Sequence, residues 1–236
     1  MSADGTLVLS EVFGPTYQGE GPHTGQRVAF VRTGGCNLTC AWCDTAYTWD
    51  ASRYNLREEL SRWSVDAIVD KVLAMEPHRV VVSGGEPLLH QHQPGWLDML
   101  EAFNWAKVPM EVETNGTLLP TEPTALLVNA FNVSPKLAHA GDPESLRINR
   151  PVLTWLAKGQ RNAMKVVVRT AEDVKTAHDL AMDVRWPLER VWVMPEGTTP
   201  STLLARQQEL ADVALAHHLN MTTRLHVLTW GEERAR

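Results

Sequence analysis

The chain of 236 residues is poor in cysteine, in phenylalanine and tyrosine, and in long apolar runs, and each shortage closes off a class of protein. Three cysteines crowded between positions 36 and 43 cannot form a disulfide framework, and a reducing compartment would keep them free for metal. No apolar stretch approaches the ~18 residues of a membrane span, and the opening residues lack the basic-then-apolar pattern of a signal. A cytoplasmic protein with no membrane contact is therefore expected. A net charge of −6 argues against a general nucleic-acid surface, so an anionic small substrate would need a local cation. There is no internal repeat, low-complexity segment or linker-like shift in composition. What is present, 44% hydrophobic residues, can fill a sizeable core. One domain over 1–236 is expected, with an N-terminal strand and loop over 7–25, a core over 26–228 and a short tail over 229–236.

The apolar patterning predicts strands separated by helices. Strands are expected over 7–13, ending at Gly14-Pro15, then over 27–32, 79–83, 108–113, 130–133, 164–168 and 190–194, with a last one over 221–228 that places Arg224 and His226 on one face. Helical spacing joins Val65, Ile68, Val69 and Val72 behind a Ser64 cap, and Trp96, Leu97, Leu100 and Phe103 mark a second helix. Thr170 and Asp173 form a capping box, and Thr199-Pro200 opens the helix of Leu203, Leu204, Leu210, Ala211 and Ala214. The segment 47–63 is polar and irregular, with Trp49 and Trp63 available as covers. Such alternation implies βαβ units and a parallel sheet. The expected fold is α/β, an open partial barrel of about six parallel strands; a doubly wound open sheet is the alternative.

Each strand empties into a turn rich in chemistry. The cysteine loop, Gly84-Gly85-Glu86-Pro87, Glu113-Thr114-Asn115-Gly116, Ser134-Pro135-Lys136 and Met194-Pro195-Glu196-Gly197 would all gather at the C-terminal ends of the strands, facing one cavity. The cysteines follow the spacing C-x3-C-x2-C as Cys36, Cys40 and Cys43. Thiolates are soft ligands for zinc or iron-sulfur clusters, and three of them leave one metal position open to a small molecule. A structural zinc with a borrowed histidine, an electron-transfer cluster, or thiols that bind nothing are the plainer readings.

That spacing, with Trp42 just before the third cysteine, resembles the signature of the radical S-adenosylmethionine (SAM) superfamily. The resemblance implies a 4Fe-4S cluster on Cys36, Cys40 and Cys43, with SAM on its open iron. It makes Gly84-Gly85-Glu86-Pro87 the element that receives the SAM amine, where glycines Gly84 and Gly85 let the backbone beside Glu86 come close. Glu113 and Ser134 would bond the ribose, Lys136 would neutralise the SAM carboxylate, and backbone around Met194 would meet the adenine. Glu113 as a turn-stabilising carboxylate is the structural alternative.

The flanking residues narrow the resemblance. Gln18-Gly19-Glu20-Gly21, Arg32, and Asp44-Thr45 directly after Cys43 are similar to the 7-carboxy-7-deazaguanine synthase family, over 11–136 and again around 224–226. That family converts 6-carboxy-5,6,7,8-tetrahydropterin to 7-carboxy-7-deazaguanine in queuosine and deazapurine biosynthesis, with SAM, a 4Fe-4S cluster and Mg2+. The resemblance implies hydrogen abstraction from C6 by a 5′-deoxyadenosyl radical, ring contraction, return of hydrogen and loss of ammonia. It further implies a homodimer and an electron donor such as flavodoxin or ferredoxin. Arg32 would grip the substrate carboxylate and supply the cation that the acidic composition demands, Thr45 would ligate magnesium, and Asp44 would orient that shell. Gln18, Glu20 and Ser83 would read the pterin edge, and His226 beside Arg224 would close the pocket. Arg32 as a surface ion pair and His226 as a packing residue are the plainer alternatives. Two rivals remain for the whole chain: a radical SAM activase of a glycyl-radical partner, and a non-enzymatic metal or iron-sulfur binding module.

Overall fold

A computed structural model describes residues 5–231 and 233–235. The strands are β1 (Thr6–Tyr17), β2 (Arg27–Thr33), β3 (Ser61–Ser64), β4 (Arg79–Gly84), β5 (Met110–Thr114), β6 (Ala130–Val133), β7 (Ala163–Val168), β8 (Val191–Pro195) and β9 (Asn220–Met221). The α-helices are α1 (Leu56–Glu59), α2 (Val65–Leu73), α3 (Pro94–Trp105), α4 (Glu122–Leu127), α5 (Glu144–Arg147), α6 (Arg150–Leu156), α7 (Ala171–Asp183), α8 (Pro200–Ala216) and α9 (Leu225–Trp230). The strands form one sheet in the order β3-β1-β2-β4-β5-β6-β7-β8-β9. Every pairing from β2 to β9 is parallel, whereas β1 pairs antiparallel with β2 and with β3. The order begins at β3 and ends at β9, which do not pair, so the barrel stays open as the patterning predicted.

Local chemistry sets the helix boundaries. Ser64 Oγ accepts the Ala67 N–H at 3.2 Å to start α2, and Thr170 and Asp173 complete their reciprocal capping box at α7. Pro200 follows the Thr199 cap of α8, where a missing N–H costs nothing. The two faces of the sheet then differ sharply. Ala29, Val31, Val80, Val82, Met110, Val112, Phe131, Val133, Met164, Val166 and Val193 share one core with Ile68, Trp96, Phe103, Leu153, Val174 and Leu210 of the helices. Fully burying each large side chain contributes roughly 1.5–3 kcal/mol. The alternate residues of the same strands point the other way, into the barrel. There Phe13, Val28, Phe30 and Val81 make a small apolar floor. Arg32, Ser83, Glu111, Glu113, Asn132 and Lys165 occupy the rest.

Three segments depart from expectation. β1 continues through Gly14-Pro15, because a register shift between Phe13 and Thr16 absorbs the pair within the ladder. The irregular segment carries α1 and β3, and β3 covers the outer edge of β1. The predicted strand over 221–228 is the third correction: only Asn220–Met221 pairs with β8, and Leu225–Trp230 is helical. The Leu225 N–H bonds the Gly19 carbonyl at 2.8 Å, drawing the chain across the barrel mouth instead of along its edge. Arg224 and His226 therefore do not share a strand face; they meet at the entrance of α9.

Candidate active site

The cysteine loop leaves the end of β2 and is tied to each of its neighbours. Gly35 N–H bonds Thr48 O at 2.8 Å, Ala41 N–H bonds Ala140 O at 2.8 Å, and Asn115 Nδ2 donates to Asn37 Oδ1 at 2.8 Å. Gly85 N–H bonds Thr33 O at 3.1 Å and Glu86 N–H bonds Gly35 O at 2.8 Å. A Cβ on Gly85 would collide with the Gly35 carbonyl and stand 3.1 Å from Cys36 N. One on Gly84, whose φ is +131°, would lie 2.9 Å from Thr33 Oγ1. These glycines are required by backbone packing against the cysteine loop, whatever else they approach.

Glu86 completes the lock. Its carboxylate is fully buried and accepts from Leu88 N at 3.0 Å, Thr114 Oγ1 at 2.8 Å and Asn115 N at 2.7 Å. Burial pushes its pKa up, against the pull of those donors. Every other residue predicted for the site lines one cavity at the C-terminal ends of the strands, but the Glu86 side chain turns away from it.

Cys36, Cys40 and Cys43 are free thiols facing this cavity. Burial pushes Cys36 up to about 12 and Cys40 up to about 11. Among the described residues, no three His, Cys, Asp or Glu side chains stand as a ready-made metal cage. The surroundings nevertheless fit sulfur ligands. Leu38 N–H lies 3.5 Å from Cys36 Sγ, and Trp49 Nε1–H lies 3.3 Å from Cys43 Sγ, donors of the kind that tune thiolate-bound clusters. Trp42 lines the cavity, and its buried Nε1 finds no partner among the described residues. Lys136 Nζ sits 5.5 Å from the centre of the Trp42 ring and donates to Ser134 Oγ at 2.9 Å. Thr45 Oγ1 is 3.6 Å from Cys43 Sγ.

Opposite the cysteines lies a network of charge. Arg224 donates from Nε to Glu20 Oε1 at 3.0 Å and from Nη1 to Gly197 O at 2.8 Å, and its Nη2 pairs with Asp44. One guanidinium thus joins four segments of chain. Burial opposes ionisation of Glu20, yet the Lys165 and Arg224 charges outweigh it and hold the carboxyl far below its usual range. His226 is pushed down by burial and lies within 3.4 Å of Arg224 Nη2. A Cβ on Gly19 would strike its ring, so that glycine makes room for the imidazole. Arg32 Nε donates to Glu11 Oε1 at 2.7 Å, and Tyr47 Oη reaches the same oxygen at 2.9 Å. The pairing uses one edge of the guanidinium and leaves its Nη atoms for the cavity. Arg234, in the tail, anchors Glu11 from outside at 3.2 Å.

Gln18 differs from expectation in detail. Its amide is committed: Nε2 donates to Glu111 Oε1 at 3.1 Å and Glu113 Oε1 at 3.3 Å, while Oε1 accepts the Glu20 N–H at 3.2 Å. Glu113 also accepts from Ser83 Oγ at 2.7 Å, which groups it with the residues expected at the substrate. Sequence reasoning missed Lys165, Glu111, Asn132 and His23. The signal was present: a lone charged or amide side chain in a buried, otherwise apolar strand such as Ala163–Val168 is an anomaly that asks for a partner.

Comparison with known proteins agrees with this arrangement. The sequence profile of the Radical SAM superfamily matches residues 30–205. The chain is 34% identical to a 7-carboxy-7-deazaguanine synthase of Pyrobaculum aerophilum, covering 100% of both chains. It is 36% identical to one of Halobacterium salinarum, over 96% of this chain and 91% of that one. The crystal structure of QueE from Escherichia coli superposes with a TM-score of 0.68 at 21% identity, over 94% of this chain and 95% of that one, a likeness of fold. The chain belongs to the radical SAM superfamily and, within it, to the family of the 7-carboxy-7-deazaguanine synthases.

Proposed function

We propose that this protein is a radical SAM lyase that converts 6-carboxy-5,6,7,8-tetrahydropterin to 7-carboxy-7-deazaguanine, with loss of ammonia. The observation that carries the reading is the convergence on one cavity of three free thiols, the ends of five strands, and a separate set of ionised side chains opposite them. Cys36, Cys40 and Cys43 would hold a 4Fe-4S cluster, which when bound supplies reductive cleavage of SAM to methionine and a 5′-deoxyadenosyl radical. The backbone of Gly84, Gly85 and Glu86 would receive the amine of SAM, Lys136 its carboxylate, and Ser134 its ribose.

On the opposite side Arg32 presents its free Nη edge to the substrate carboxylate, and its Glu11 partner fixes that edge in place. Thr45 offers a hydroxyl to Mg2+, whose preference is for oxygen ligands completed by substrate and water. Asp44 would orient this shell from its pairing with Arg224. Glu20, Glu113 and Ser83 would accept the N–H groups of the pterin, and neutral His226 would close the pocket. Gln18 aligns the two carboxylates without spending its own amide on the ring. Glu113 moves to the substrate set in this reading because Ser83 and Lys165 already hold it there.

The reading carries with it a cytoplasmic homodimer served by a flavodoxin or ferredoxin. In keeping with that, no helix among the described residues is long and apolar enough to cross a membrane. The decisive experiment is anaerobic reconstitution followed by incubation with reductant, SAM, Mg2+ and the carboxytetrahydropterin. Mass spectrometry should find the deazaguanine product; its absence from protein with a full cluster would remove the substrate assignment. A colourless zinc protein would remove radical chemistry altogether.

A further inference from the structure

The inner face of the sheet carries a lysine that the proposed reaction leaves without a task. Lys165 stands in β7 between Met164 and Val166, is only 4% exposed, and lines the cavity. Its ammonium pairs with Glu20 and lies 3.7 Å from Glu113 Oε1. Burying such a charge is costly, and packing alone would be served as well by an apolar residue of similar volume. The reason for it lies in its neighbours.

Three carboxylates belong to this interior, Glu20 from the loop after β1 and Glu111 and Glu113 from β5, with Lys165 and Arg224 as their fixed cations. His226 stands near Glu20 and His23 pairs with Glu111. Without Lys165, Glu113 would lose the one fixed cation in contact with it and Glu20 would keep only Arg224. Crowded carboxylates short of a counter-charge take up a proton. A protonated carboxyl donates where a carboxylate only accepts, so the charge state decides which ligand edge the cavity receives.

We propose that Lys165 is a positioning residue that sets specificity: it holds Glu20 and Glu113 as paired hydrogen-bond acceptors and so commits the cavity to a ring edge of N–H donors, the 2-amino, N3–H edge of a pterin. The inference rests on the pterin reading above. It gives Lys165 no contact with the reacting atoms; the residue acts through the two glutamates. The 2-oxo analogue of the same ring, which places an acceptor where the pterin has its amino group, is rejected for the same reason.

The test compares 6-carboxypterin with 6-carboxylumazine by equilibrium titration of the anaerobic holoprotein. Wild type should favour the pterin by about tenfold or more, the worth of one donor turned against an acceptor. In Lys165→Met the preference should fall to about twofold at neutral pH and return as the pH rises, because the freed carboxylate ionises again above its raised pKa. In turnover the loss should fall on KM more than on kcat. Thermal unfolding checks each variant, and Lys165→Gln supplies the same comparison if Lys165→Met does not fold. A wild type that prefers the pterin together with a variant of undiminished preference at every pH overturns the role of Lys165. A wild type without preference for the pterin overturns the pterin reading and this inference with it.

Discussion

Replacing Gly85 by alanine adds one carbon atom at the contact that joins the two loops of the SAM side. The new Cβ would press on the Gly35 carbonyl and stand 3.1 Å from Cys36 N, and both are backbone, so no side chain can swing aside. The loops must separate, which breaks the bonds from Gly85 N to Thr33 O at 3.1 Å and from Glu86 N to Gly35 O at 2.8 Å. Each bond contributes about 1 kcal/mol net, and overpacking of a close-fitted site costs a further ~1–3 kcal/mol. The sum, about 3–5 kcal/mol, corresponds to a fall in Tm of roughly 6–20 °C for a chain of this size. Since Cys36 is displaced with Gly35, iron bound after reconstitution should fall with the melting point. The assay is iron content and thermal unfolding of Gly85→Ala beside Gly25→Ala. At Gly25 a Cβ meets nothing within 4 Å, so only the left-handed backbone at φ +87° is strained, by ~1–2 kcal/mol. Gly25→Ala should keep its iron. A Gly85→Ala protein with wild-type iron and a Tm within about 2 °C of wild type would refute the packing argument.

The remaining outcomes concern other parts of the site. Cys40→Ala should lose SAM cleavage, measured as 5′-deoxyadenosine, because two thiols cannot hold the cluster, whereas Thr45→Ala should retain some cleavage and lose the magnesium dependence of turnover. Equal loss of cleavage in both would remove the magnesium role. Glu86→Ala strands the N–H groups of Leu88 and Asn115 in a buried site, and should lower stability in a denaturant titration by about 2–4 kcal/mol; a change under 0.5 kcal/mol would show that this brace is idle. For Glu20 the pH dependence has a definite sign. Its folded pKa is depressed below the ordinary value of 4.5, so its stabilising effect is present above that value and is lost only as the pH falls through it toward the folded pKa. The difference in unfolding free energy between wild type and Glu20→Gln should be constant from pH 6 to 8 and shrink below about pH 4.5. A difference that disappears between pH 6 and 7 would contradict this ordering.

Much of the site was legible because motif and strand end coincide along the chain. Period-2 apolar runs at 27–32, 79–83, 130–133 and 164–168 located the parallel strands, and in a sheet with helical crossovers the following turns must gather at one end. The cysteine spacing, the glycine pair before Glu86 and the Thr170–Asp173 capping box are local signals that need no tertiary information. The segment over 221–228 misled for an equally physical reason. Its apolar residues satisfy a short strand and a short helix alike, and only the absence of a further partner beyond β8 and the pull of Gly19 O on Leu225 N–H chose the helix.

Partnerships between distant charges were decided by the tertiary structure alone. Arg224 meets Glu20 and Asp44, Lys165 meets Glu20 and Glu113, and Gln18 spends its amide on Glu111 and Glu113, in each case across wide gaps of sequence. Sequence by itself determined which residue types stand at the strand ends and which alternate into the barrel, since both follow from local periodicity. Which of those inward charges neutralise one another depends on how the closing strands bring them together in a medium that cannot solvate them, and that is a property of the folded barrel.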